Sequence, residues 1–266
     1  MPDNIETLKE LVQNLDEFIK ANFQTITDED IYKSAKFRRH LAQTGESLLT
    51  LAKMLDPVRE PELILDPSDP KVIGKIIANT LLEQPRHPLK TVGRFYGSGV
   101  YAIYYKGDFE AYRLISKTDH PLYVGKADPA DLDAVSVQEQ GEKLAGRLKD
   151  HLRSIKYAGN LNADDFDCRF LVVKSAWQKT AEDYLIGRFQ PVWNNEMNVC
   201  FGFGKHGDSS STRRNTRSPW DTVHMGRPWA KSENNVANPK SAVKIIAEIK
   251  VHLEKTFIQQ PKKRFK

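Results

Sequence analysis

Apolar side chains recur three and four residues apart from Leu8 through Leu11, Val12, Leu15, Phe18 and Ile19, which predicts an amphipathic helix with one apolar stripe. Thr27-Asp28-Glu29-Asp30 offers the start of a second helix, since acidic residues suit the positive end of a helix dipole. Leu48, Leu49, Leu51, Ala52 and Leu55 extend the helical spacing until Pro57, after which Pro61, Pro67 and Pro70 interrupt the chain. A shorter helical pattern around 72–82 ends before Pro85 and Pro88. Residues 1–92 therefore read as a helical region packing on a core, with no chemistry assignable to it.

From Gly93 the texture changes. Gly99-Val-Tyr-Ala-Ile-Tyr-Tyr105 is β-branched and aromatic and reads as a strand, with Lys106-Gly107-Asp108 as its exit turn. Pro121–Gly125 is a second short strand, 128–141 a loop, 142–156 a helix and 166–173 a third strand. A helix over 176–189 stops before Pro191. Two close strands, a helix, a strand and a helix make a small α+β unit, and no repeated βαβ rhythm argues for a parallel sheet. After Cys200 the string FGFGKHGDSSSTRRNTRSPW reads as a mobile loop, and a last helix is expected over 241–257. The expected organisation is 1–92, 93–200 and 201–266.

Composition narrows the class. Hydrophobic residues at 39% and charged residues at 28% describe a globular chain. No apolar run approaches the roughly 20 residues needed to span a bilayer, and MPDNIETLKE lacks the pattern of a secretory signal. Two cysteines, Cys168 and Cys200, build neither a disulfide framework nor a zinc cluster, so reduced thiols in the cytoplasm are the expectation. The net charge of +5 is unevenly placed: the last 66 residues carry 14 Lys/Arg against 5 Asp/Glu, while the first 200 carry 26 against 30. A basic end suits a polyanion, because neutralising phosphates releases counterions. A solvated tail explains the terminal PKKRFK equally well.

The candidate chemistry lies between Gly99 and Asn194. Arg147 and His151 are one helical turn apart and leave the same face, beside Leu144, Leu148 and Ile155. Glu182 borders Leu185, Ile186 and Phe189 on an apolar helix face, where a carboxylate is costly unless paired or bound to a metal. An ion pair with Arg147 or Arg169 is the plainer explanation. Tyr101 and Tyr123 sit in strands beside glycine, where a tyrosine is ordinarily a packing residue.

Taken together, these positions resemble the GIY-YIG nucleases. Gly99-Val-Tyr101 and Tyr123-Val-Gly125 are similar to the two signature triplets, with valine in place of isoleucine. Tyr101 and Tyr123 match the two tyrosines, Arg147 the helix arginine, His151 the histidine one turn later, Glu182 the metal-binding glutamate and Asn194 the polar residue closing the last motif. The resemblance implies a three-stranded antiparallel sheet flanked by helices, with helical N-terminal and basic C-terminal additions. Short strings such as Tyr123–Ala127, Pro191–Asn194, Ser218–Asp221 and His224–Ala230 resemble the type II restriction endonucleases of this superfamily that cleave CCGCGG.

That resemblance implies a chemistry. Tyr101 takes a proton from the attacking water and His151 relieves it, since an ordinary tyrosine has a pKa near ~10. Arg147 makes paired hydrogen bonds to phosphate oxygens. Glu182 holds Mg2+ (or Mn2+), a Lewis acid, while Tyr123 and Asn194 bond the scissile phosphate or a bound water. Lys126 either adds charge there or is simply solvated. Lys205, Arg213, Arg214, Arg217 and Arg227 are candidate base or phosphate contacts, arginine to guanine being the commonest specific one. A basic loop touching only phosphates accounts for any one of them as well. Trp220 and Trp229 read as packing anchors. The implied partners are double-stranded DNA and a second identical subunit or more, because one site serves one strand; no membrane is implied. Alternatives are a DNA-binding protein that has lost catalysis, and a homing or repair nuclease on the same core.

Overall fold

The computed structural model describes residues 2–28, 35–58, 61, 64–174, 177–204, 216–231 and 235–258. It divides into two compact units, Met1–Leu65 and Asp66–Lys266. The first contains α1 (Pro2–Asp28) and α2 (Ala35–Leu55). The first helix thus runs through Thr27 and Asp28, to which the sequence pattern assigns the start of the second; residues 29–34 lie outside the described set. The apolar stripe of α1 stays exposed from Leu11 to Phe23.

The second unit begins earlier than the expected boundary at 92. α3 (Pro70–Glu83) starts with Pro70 behind Asp69, whose carboxylate accepts a bond from the Lys71 amide at 2.8 Å, the usual remedy for an unpaired helix N–H. It packs against α5 (Gln178–Phe189), with Gly74, Ala78 and Leu81 buried. The region 66–92 is therefore part of the core unit.

At the centre lies an antiparallel sheet of order β1-β4-β2-β3, built from β1 (His87–Pro88), β2 (Gly99–Tyr105), β3 (Tyr123–Ala127) and β4 (Phe166–Val172). It has one strand more than expected, because the two-residue β1 is too short to leave a periodic pattern. All of β2 is buried, as its continuous apolar run requires. Its two faces feed two cores. Tyr101, Ile103 and Tyr105 face α4 (Lys143–Tyr157) and the C-terminal region, whereas Val100, Ala102 and Tyr104 face α3 and α5.

The C-terminal region is core rather than appendage. α6 (Pro219–Val223) and α7 (Ala242–Leu253) pack on each other, and α7 also packs on the turn Glu110–Ile115. Trp220, Ile245, Ile249 and Leu253 are fully buried in the same cluster as Tyr101. Burying one such side chain contributes about 1.5–3 kcal/mol. Much of the apolar stripe expected over 241–257 is thus spent within the chain, while Val243 stays exposed.

Candidate active site

Antiparallel pairing sets Tyr101 opposite Gly125 on one side and Phe170 on the other. Gly125 is required there: a Cβ at that position would come within 2.5 Å of the Tyr101 hydroxyl. The second glycine of the signature is thus the space into which the first tyrosine reaches.

On α4, Leu144, Leu148, His151 and Ile155 share the buried face, so packing presses the imidazole against β2 and β3. The Tyr101 hydroxyl lies 2.6 Å from His151 Nε2. Tyr123 completes the group, its ring 5.0 Å from His151 and 6.1 Å from Tyr101. Burial raises the Tyr101 phenol well above its ordinary range, Tyr123 adds to the rise and Arg147 opposes it. Burial likewise pushes Tyr123 to about 12, with Glu182 raising it and Arg147 lowering it. Both tyrosines are therefore phenols at neutral pH, and His151 Nε2 lies within hydrogen-bonding distance of the Tyr101 hydroxyl.

Glu182 approaches from α5, across the sheet edge. Its carboxyl is pushed up to about 7, chiefly by burial; Lys126 and Lys179 pull it back while Glu196 and Asp183 push further. Among the described residues no hydrogen bond or ion pair engages it, so the expected alternative of a pair with Arg147 or Arg169 is not formed. Arg169 instead pairs with Asp119 at 3.0 Å. A half-buried carboxylate without a partner fits a divalent cation, and no cluster of three acidic, His or Cys groups is present among the described residues. Water and substrate oxygens would have to supply the other ligands, as Mg2+ commonly accepts.

Tyr101, Tyr123, Arg147, His151 and Glu182 are thus brought to one place, with Lys126 beside them in an ion pair with Asp128. Three expected residues stand elsewhere in role. Asn194 is engaged by β3: its buried amide accepts from Val124 N at 3.0 Å and donates to Val124 O at 2.9 Å. Arg227 is not a surface contact for DNA: it is 3% exposed and makes two 2.7 Å bonds to the Asp221 carboxylate. Arg217 is half-buried and donates to the Ala230 carbonyl at 2.9 Å, so it helps fix the C-terminal turn. Lys205, Arg213 and Arg214 lie outside the described residues.

Two neighbours escape a reading of the sequence alone. Phe203 stacks on His151 with centroids 4.5 Å apart, and Glu196 lies near enough to raise Glu182 and Tyr123. The string Phe201-Gly-Phe-Gly204 carries a signal for the first, since glycines flanking an aromatic mark a backbone squeezed close to something else.

The family model of the Eco29kI GIY-YIG domain matches residues 93–253. The chain belongs to this family. The match ends at the last residue of α7, so the domain extends well beyond the expected limit at residue 200, in agreement with the shared core. The protein is a GIY-YIG nuclease of the Eco29kI restriction-enzyme type, and its substrate is DNA. No curated protein matches the chain in sequence. No described helix is long and apolar enough to cross a membrane.

Proposed function

We propose that this GIY-YIG nuclease is a type II restriction endonuclease that hydrolyses double-stranded DNA at a short palindrome, CCGCGG, with one Mg2+ (or Mn2+) per active site. The observation that carries the catalytic part is the Tyr101–His151 contact at 2.6 Å with Arg147 and Glu182 around it. CCGCGG comes from the sequence strings shared with that branch.

Tyr101 takes the proton of the attacking water and passes it to His151 Nε2, which lies within transfer distance. Its raised pKa makes it a poor free phenolate, so loss of its proton to His151 must accompany the attack rather than precede it. Arg147 binds the phosphate oxygens and stabilises the charge that develops on them. Glu182 would hold the cation, which would supply Lewis-acid stabilisation of the leaving oxygen. Asn194 and Gly125 keep β3 and Tyr101 in register.

Each chain carries one such set, so a double-strand break requires two, and a palindrome is most simply read by a two-fold symmetric protein. The protein acts as a homodimer or higher homo-oligomer. Digestion of plasmid DNA with Mg2+, followed by end sequencing, tests the reading. Ends at one palindrome, lost on Glu182→Ala while duplex binding persists, support it. Metal-independent cutting, or an active Glu182→Ala variant, overturns the metal assignment. Sedimentation on a short cognate duplex decides the oligomer, and one subunit per duplex cutting both strands together would overturn it.

A further inference from the structure

Phe203 is fully buried and lies against the catalytic histidine. Its ring stacks on His151 at 4.5 Å and 17°, meets Tyr123 edge-on at 5.2 Å, and rests on Trp193 at 4.5 Å and Trp220 at 5.3 Å. His151 is therefore held between Phe203 and the two tyrosine rings, which stand 5.4 and 5.0 Å away. The backbone there is close to the site too: a Cβ on Gly204 would fall 2.6 Å from the Tyr123 hydroxyl.

The stretch of chain that carries Phe203 is held by a buried charge. Arg227 donates to the carbonyls of Gly202 at 2.9 Å and Phe203 at 3.3 Å while its other donors grip Asp221. Trp220 and Trp229 cover its guanidinium at 4.6 and 5.1 Å. A buried guanidinium whose remaining donors face two carbonyls fixes that backbone firmly, since leaving them unpaired is costly.

We propose that Phe203 is a positioning residue for strand cleavage, acting through His151, and that the Arg227–Asp221 pair is its anchor. This rests on the nuclease reading above and deepens it. An imidazole free to rock on its χ torsions would carry Nε2 out of reach of the Tyr101 hydroxyl. The stacked ring removes that freedom on one side. The residues after Asn194 therefore belong to the active site as its rear wall.

The test compares wild type, Phe203→Leu, His151→Ala and the double variant in single-turnover cleavage of a cognate duplex, with duplex affinity and thermal midpoint measured on each. Phe203→Leu keeps bulk without a stacking face, and Phe203→Met replaces it if the leucine variant does not fold. The expected result is a loss of about 10²-fold in the cleavage step with affinity unchanged, the scale of a misplaced catalytic group. In the His151→Ala background the same substitution should cost no more cleavage. The carbon-bound proton resonances of His151 should also move downfield as ring-current shielding disappears. Cleavage at the wild-type rate, or an equal loss in both backgrounds, overturns the positioning role. Wild-type protein that cuts no duplex overturns the nuclease reading, and this one with it.

Discussion

The Tyr101 hydroxyl and His151 Nε2 lie 2.6 Å apart, and both side chains are buried. Two elements distant in sequence meet there: β2 supplies the tyrosine and α4 the histidine, and each is fixed by its own buried face. Burial raises the phenol, which by itself disfavours a tyrosinate base. The pairing resolves this, because the proton need only move along an existing hydrogen bond.

Tyr101→Phe should therefore lower cleavage by about 10²-fold or more, the usual worth of general base catalysis. Some stability should go with it, since His151 Nε2 is deprived of its hydroxyl partner, a cost of roughly 1–3 kcal/mol. Single-turnover kinetics and urea unfolding measure both. Unchanged turnover would return Tyr101 to a packing role.

Arg227→Ala should destabilise the protein by about 3–5 kcal/mol, the cost of leaving one member of a buried ion pair uncompensated. Both side chains are almost inaccessible, at 3% and 0%, so screening by solvent offers little relief. Arg227→Lys should also reduce stability, because an ammonium cannot make the two parallel bonds. Urea unfolding reads this directly. If Arg227 bound DNA instead, the variants would keep their stability and bind the duplex more weakly.

Part of this arrangement can be read from the residues alone. Tyr101, Tyr123, Arg147, His151 and Glu182 stand on the strands and helices that periodicity and spacing suggest. Local pattern reveals which face of an element is buried, and these residues sit at the edges of such faces. It does not reveal what long-range packing brings up behind them. Asn194 closes a motif, yet its amide is used on the β3 backbone; Arg227 has the composition of a DNA-binding residue, yet Asp221 holds it inside. The C-terminal third reads as a basic addition because its charge is conspicuous, whereas Trp220, Ile245, Ile249 and Leu253 tie it to the core.

Acid should weaken the fold through His120. Its imidazole is 6% exposed, packed edge-on to Phe189 at 5.7 Å and Phe257 at 5.5 Å, and its Nε2 has no hydrogen-bond partner among the described residues. Burial, with His252 adding like charge, lowers its pKa to about 4 from 6.5. Below pH 6.5 the unfolded chain takes up the proton that the folded one refuses, so stability falls as pH drops from 6.5 towards 4. The loss attributable to His120 is at most about 3 kcal/mol. His224, lowered to about 3 by burial, acts in the same direction. His120→Phe should flatten the decline in urea midpoint across that window, and an unaltered slope would exclude His120 as its source.

The contribution of the basic segment to DNA binding has to be tested by charge and not by truncation. Ending the chain before Lys205 would remove Trp220, Val223, Ile245, Ile249 and Leu253 from the core, and the protein would fail to fold for reasons unrelated to DNA. Replacing Lys205, Arg213 and Arg214 by glutamine in the full chain keeps every one of those core residues. Every phosphate that is no longer neutralised should make the slope of log K against log salt shallower by about 0.9. Removal of a side chain that reads a base should instead relax discrimination between the cognate site and single-base variants by about 1–3 kcal/mol. Cleavage of bound duplex should stay near the wild-type rate, because Tyr101, Arg147, His151 and Glu182 are untouched. An unchanged salt slope with unchanged discrimination would show that these three residues take no part in binding.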